Sequence, residues 1–215
     1  MGNLRDAAYE AIREKIICCA YAPGSFISEA QVMTELDMSR TPIREAFNKL
    51  EQEGLLLILP KRGVQVSTMT MTDISETFEV RRMLEPYLVK NYLQNIDPEE
   101  VKKLRTETLK LLQQEDMPAE DFFLLDDRLH QLIGASCGNS YIRSMLGRIY
   151  AQNRRLRILL GQGARYRQSA VEHLDILEHI LAGDAAEAEK SLRQHLDHSK
   201  DNALRSLNRA AIPFR

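Results

Sequence analysis

Five histidines occur in the chain, and all lie between residues 130 and 198. Asp126 and His130 stand four apart, which puts them on one face of a helix. His173 and His195 flank a Gly183-Asp184 turn, ten residues before Gly183 and eleven after Asp184. In an antiparallel helical hairpin, residues equidistant from the turn face each other at the same height. These two imidazoles can therefore meet, and a helix carrying Asp126 and His130 can complete the set. Three imidazoles and one carboxylate suit a divalent transition metal: Zn first, with Ni or Mn as alternatives, and with positions left for water or a ligand. His179 lies about 9 Å along the helix axis from His173 and falls outside that shell. His198, one turn beyond His195, is a weaker candidate. The competing assignment is that these are surface or core histidines with no metal.

A second group of residues suits phosphate and base edges. Arg40 and Arg44 are four apart around Thr41-Pro42, where a helix begins, so both can project the same way. Arg makes bidentate contacts to guanine, and Ser39 and Thr41 suit phosphate oxygens. The helix N-terminus itself attracts a phosphate. Lys61 and Arg62 stand at the tip of a Pro60–Gly63 turn, within reach of backbone or minor groove. A third candidate is Arg81. It can be a Glu-paired arginine, with Glu85 at i+4, or an anchor for an effector carboxylate.

The elements that carry these groups can be read from periodicity and punctuation. Leu4 to Ala20 shows a helical stripe of Ala8, Ile12, Ile16 and Ile17, stopped by Pro23-Gly24. A second helix starts at Ser28, with Gln31 as capping-box partner, and ends near Leu36-Asp37. A third takes Thr41 as N-cap and Pro42 in its first turn, carries Ile43, Ala46, Phe47 and Leu50, and ends at Gly54. Leu55–Leu59 and Val64–Ser67 read as two strands joined by the Pro60–Gly63 turn. Helix, helix, helix, hairpin is the winged helix-turn-helix order, in which the third helix enters the major groove. After Thr72 the pattern is helical throughout, with stretches at 73–94, 98–114, 118–136, 140–160, 165–182 and 185–209. The breaks are at Asp97-Pro98, Asp116-Met117-Pro118, Gly138-Asn139, Gly161-Gln162-Gly163 and Gly183-Asp184. The expected fold is mainly α: a winged helix-turn-helix domain over 1–68, a linker over 69–72, and an all-α bundle of about six helices over 73–215.

Composition bounds the reading. With 29 Lys+Arg against 31 Asp+Glu, the chain is not a uniformly basic nucleic-acid binder, although a local basic face fits within that balance. Cys18, Cys19 and Cys137 include no CxxC and are odd in number, which disfavours a disulfide framework and fits a reducing cytoplasm. The longest apolar stretches are too short to span a bilayer. The charged N-terminal segment does not read as a signal peptide.

Tyr21-Ala22-Pro23-Gly24, Glu29, Leu36, Ser39 to Ala46, Leu50, Glu53-Gly54-Leu55 and Arg62 to Val66 closely resemble the N-terminal domain of GntR-family transcription regulators. The resemblance implies that Arg40, Thr41, Arg44 and the wing at Arg62-Gly63 contact operator DNA. Some members carry a further DNA-contacting Arg in the second helix, where this chain has Ala30 and no cation. Phe78-Glu79-Val80-Arg81, Leu84-Glu85, Asp126-x-x-x-His130, Gly138-Asn139, Glu172-His173, Gly183-Asp184, Ala188 and His195 are similar to the FCD effector domain of the FadR-like subfamily. That likeness implies an all-helical ligand cavity, Asp126, His130, His173 and His195 as metal ligands, and Arg81 as effector anchor. Asp127 is the competing carboxylate, but Asp126 keeps the i, i+4 relation. The Arg154-Arg155-Leu156-Arg157 run reads as a basic helix face, with one member able to line the cavity.

These observations imply a ligand-responsive regulator rather than an enzyme: a dimer on operator DNA, sensing a small carboxylate, with no membrane partner. Repression relieved by ligand is the default that the resemblance implies. The alternative is a metal-dependent hydrolase or isomerase built on the same Asp and three His, with Asp127 or Glu172 as base. A third reading keeps the DNA-binding role and makes the metal structural or absent.

Overall fold

The computed structural model describes residues 4–160 and 165–209. The chain divides into two units, Met1–Thr70 and Met71–Arg215. In the first, α1 (Leu4–Ile17), α2 (Glu29–Leu36) and α3 (Arg40–Gln52) precede a hairpin of β2 (Leu56–Leu59) and β3 (Gly63–Val66). Ala8, Ile12 and Ile16 of α1 are fully buried, as are Ile43, Ala46 and Leu50 of α3. Two helical stripes thus supply the core, with α1 packed on α3. Gly54 takes φ +72 just past α3, the left-handed turn that a β-carbon disfavours.

Three local details differ from the expectation. The N-cap of α3 is Ser39, in extended backbone, and Thr41 already lies inside the first turn. Pro42 is accommodated there because the first helical N–H groups have no intrahelical acceptor. Ser28 caps α2 through Gln31 N–H at 3.1 Å, but the Gln31 side chain turns to Glu35 instead of closing the box. A short strand β1 (Phe26–Ile27) also pairs with β3, giving a sheet of order β1-β3-β2. Two residues are too few to show an alternation, so only packing reveals it.

The second unit is helical throughout its described residues: α4 (Met71–Tyr92), a 3-10 turn (Leu93–Asn95), α5 (Pro98–Leu112), α6 (Ala119–Ala135), α7 (Ser140–Leu160), α8 (Tyr166–Leu181) and α9 (Ala185–Arg209). The expected break at Gly161-Gln162-Gly163 lies outside the described residues. Helix α4 continues through Pro86. A proline leaves the carbonyl four residues earlier without its donor, and here Arg193 approaches Arg82 O at 3.4 Å. The core gathers Leu88, Val89, Leu104, Ile133, Ile176 and Leu192 from five helices. α9 packs on both α4 and α8. Between α8 and α9, Gly183 adopts φ +71, and Asp184 Oδ1 caps Glu187 N–H at 3.1 Å. That tight reversal puts α8 and α9 side by side and brings His173 to His195.

Candidate functional site

Asp126 and His130 come from α6, His173 from α8 and His195 from α9, and all four side chains are buried. One ligand atom from each lies within 4.8 Å of the others. The closest approaches are His173 Nε2 to His195 Nε2 at 3.3 Å, His173 Nε2 to Asp126 Oδ1 at 3.4 Å, and His130 Nε2 to Asp126 Oδ1 at 3.8 Å. Donors bonded tetrahedrally to zinc at its usual distances stand roughly 3.3 Å apart. His130 Nε2 is buried with no hydrogen-bond partner among the described residues, a state that a bound cation would satisfy. The donor set and its spacing fit a divalent metal. Asp127 pairs instead with Arg157 and Arg154.

Two carboxylates hold the imidazoles from behind. Glu85 of α4 accepts from His130 Nδ1–H at 2.6 Å, and Glu172 of α8 accepts from His195 Nδ1–H at 2.9 Å. An ionised carboxylate can only accept, so each ring keeps its proton on Nδ1 and presents the Nε2 lone pair inward. Burial opposes the charge of Glu85, but Arg81 and His130 outweigh it and hold the carboxyl at about 2. Burial likewise opposes Glu172, and His195, His198 and Arg165 bring it to about 2. Burial lowers His195 to about 4. Burial, with His195 and His130 adding to it, pushes His173 well down, and burial lowers His130 against the pull of Glu85. The three rings are therefore neutral at pH 7, as metal ligands must be.

Beside the quartet is a cavity of about 70 Å³, room for a small molecule only. Arg81, Arg157 and Arg165 line it, together with Phe122, Ser169 and Asn202. Arg81 is the Glu-paired arginine: Nε donates to Glu85 Oε1 at 2.6 Å, while the buried Nη2 has no hydrogen-bond partner among the described residues. The 154–157 run is not a basic face. Arg155 is buried, and Arg157 turns inward to pair with Asp126 and Asp127. His198 is exposed and bonds Glu172 at 2.8 Å, and His179 pairs with Asp175 at 3.5 Å.

The roles of Glu85 and Arg157 are not legible from spacing. Glu85 pairs with Arg81 locally, as i, i+4 requires, and also reaches a histidine 45 residues away. The only local hint is an acid-base pair on a helix stripe that is otherwise apolar.

In the N-terminal unit, Ser39, Arg40, Thr41, Arg44, Lys61, Arg62 and Gly63 are all exposed. Arg44 Nε lies 2.8 Å and Arg40 Nε 3.3 Å from the Glu29 carboxylate of α2, so one acid holds both guanidiniums at the start of α3. Lys61 takes φ +64 at the hairpin tip. α2 carries no Lys or Arg.

Comparison with known proteins gives two domain matches. Residues 76–198, more than half of the chain, match the FCD domain, and residues 4–66 match the bacterial regulatory proteins of the gntR family. The chain is 28% identical over 199 residues to the HTH-type transcriptional repressor RspR of Escherichia coli, covering 90% of this chain and 86% of that protein. It is similar in fold to a GntR regulator from Rhodococcus sp. RHA1 with a TM-score of 0.79 and 21% identity, over 98% of this chain and 99% of that one. The Zn2+-bound FCD domain of TM0439 superposes with a TM-score of 0.58 and 30% identity, over 66% of this chain and 98% of that one.

Proposed function

Because the chain belongs to the GntR family of transcription regulators with an FCD domain, we propose that it is a repressor that binds operator DNA as a dimer and is released by a small organic acid. It is a DNA-binding regulator, not the hydrolase or isomerase that a quartet of one Asp and three His also suggests. The observation that carries the sensing role is the buried Asp126, His130, His173 and His195 cluster opening on a cavity lined by Arg81. A divalent metal, zinc first given the zinc-bound relative, is held by those four residues and supplies a Lewis-acidic position for a ligand oxygen. Arg81, whose buried Nη2 has no hydrogen-bond partner among the described residues, is the anchor for the acid's carboxylate. The metal thus serves sensing rather than structure alone.

On the DNA side, Arg40, Thr41, Arg44 and Ser39 sit where a recognition helix meets base edges and phosphates. Lys61, Arg62 and Gly63 form the wing. Dimerisation follows from the need for two recognition helices on two half-sites, and the effector acts by favouring one placement of the two reading domains. Repression is supported by the name of the RspR relative. No described helix is long and apolar enough to cross a membrane, and we place the protein in the cytoplasm.

The test is fluorescence anisotropy on DNA flanking its own gene, with and without zinc and a panel of small carboxylates, and with elemental analysis of the same sample. Sequence-preferring binding that weakens with one acid and zinc is expected. Absence of sequence preference at moderate salt, whatever the metal, overturns the regulatory reading of this site. Ligand response that survives loss of metal in His173→Ala and His195→Ala overturns the sensing role of the metal.

A further inference from the structure

Helix α2 brings two acids to the N-terminal unit and no Lys or Arg. Glu35 is taken up by Lys15, Tyr21 and Gln31. Glu29 goes instead to Arg40 and Arg44 at the start of α3. An acid among DNA-reading cations carries a cost, because it repels every phosphate that approaches. Net charge gives no reason for Glu29 to stand there, but the geometry of its contacts does.

Both contacts are made through Nε. Glu29 Oε1 accepts from Arg44 Nε–H at 2.8 Å, and Oε2 lies 3.3 Å from Arg40 Nε. No described residue hydrogen-bonds a terminal nitrogen of either guanidinium, and both side chains are exposed. A guanidinium has an edge made by Nε with one terminal nitrogen, and an end made by its two terminal nitrogens. Glu29 occupies the edge and leaves the end free. That free end is a fork that can span O6 and N7 of guanine.

Glu29 is itself held in place. It is half-buried in the first turn of α2, next to the Ser28 cap, and α2 packs on α3. A fixed carboxylate on Nε limits the rotation of a long side chain before DNA arrives, which lowers the ordering cost of binding. It also separates two kinds of partner. A guanine edge is neutral and accepts from the free fork without disturbing Glu29. A phosphate is an anion, and to bind it an arginine must leave Glu29 or hold two anions side by side. The exposed pair is weak, so the arginines can still swing onto the phosphates of any sequence. They keep Glu29 where a guanine is in reach.

We infer that Glu29 is a positioning residue for DNA reading: it aims Arg44, and with it Arg40, at guanine and away from phosphate. It thereby sets the ratio of operator to non-specific binding. The inference rests on the DNA contacts proposed above for Arg40 and Arg44, and gives a role to a residue that needs no contact with DNA of its own.

Fluorescence anisotropy on the full-length protein tests this with two duplexes. One is enriched by the parent protein from a random-sequence pool, and the other is a scrambled duplex of equal length and composition. Glu29→Gln removes the charge at nearly unchanged shape. It should tighten the scrambled duplex slightly and weaken the enriched one, so that their ratio falls about fivefold or more. The salt dependence on the enriched duplex should steepen by about 0.9, the slope of one added phosphate contact. Added to Arg44→Ala, Glu29→Gln should change the ratio by less than it does in the parent. Glu29→Asp keeps the charge with a shorter reach and should fall between parent and Glu29→Gln. A ratio unchanged in both Glu29 variants overturns the inference and leaves the regulatory reading standing. Parallel loss on both duplexes, as a purely structural role gives, overturns it as well. If the parent enriches no duplex from the pool, the DNA-reading role falls and the inference falls with it.

Discussion

Glu29 and Glu85 are both glutamates that serve two partners, yet they work under opposite conditions. Glu29 lies on the surface of the N-terminal unit and holds Arg40 and Arg44, whose side chains are 66% and 65% exposed. Glu85 lies inside the helical unit and holds Arg81 and His130, which are 2% exposed. On the function proposed above, the difference follows from what each unit does. Cations that read DNA have to be accessible, so their resting partner must be cheap to displace. Ligands that hold a metal have to be aimed beforehand, so their partners must be buried and rigid. The same residue type gives an exchangeable contact in one place and a fixed one in the other.

That contrast is broken most directly at Glu85. Glu85→Gln leaves Arg81 buried without its counter-ion and should cost about 3–5 kcal/mol in chemical denaturation. A cost under 1 kcal/mol would put Glu85 on the same footing as Glu29.

pH separates the two units next. All five histidines belong to the helical unit, and none to the N-terminal one. The folded pKa values of His130, His173 and His195 are depressed, so below the ordinary value near 6.5 the unfolded chain binds protons that the folded one refuses. Stability of the metal-free helical unit is therefore full above 6.5 and falls as the pH drops toward 4. His195 alone, lowered to about 4, contributes about 3 kcal/mol at most. Glu85 and Glu172, held at about 2, add a second loss between 4.5 and 2. Hydrogen exchange read segment by segment at pH 7 and pH 5 checks this. Residues 71–160 and 165–209 should lose protection first, and equal loss in both units would remove the distinction.

His195→Ala should weaken zinc binding in a chelator competition by about a hundredfold or more, beyond the roughly 10–100-fold of losing an outer partner. The variant should bind operator DNA without ligand as the parent does.

Smaller effects are expected at the reading surface. Arg44→Ala should cost roughly 1–3 kcal/mol and relax specificity at one base pair. A uniform loss on all sequences would assign Arg44 to phosphate. Glu29→Gln should change folding stability by under about 1 kcal/mol. It should raise non-specific DNA affinity slightly at low salt, by removing a competing anion.

What could be read from the amino-acid order was whatever depends on neighbours a few residues apart. The stripes of Ala8, Ile12 and Ile16, or of Ile43, Ala46 and Leu50, place helices because 3.6 residues make a turn. Ser28, Gly54 and Gly183 mark ends because a cap or a left-handed turn is a local matter. Even the meeting of His173 and His195 was countable, since a tight reversal fixes the register of two helices. What tertiary structure alone decided was everything whose partner is distant or whose solvation is in question. The β1 strand exists because β3 is there to pair with it. An arginine is the same letter on a surface and in a core, so Arg155 and Arg157 could not be told from a solvated basic face. Glu85 looked like the i, i+4 partner of Arg81, and it is. Only the packing of α4 against α6 also puts its second oxygen on His130, because burial leaves no water to satisfy either group.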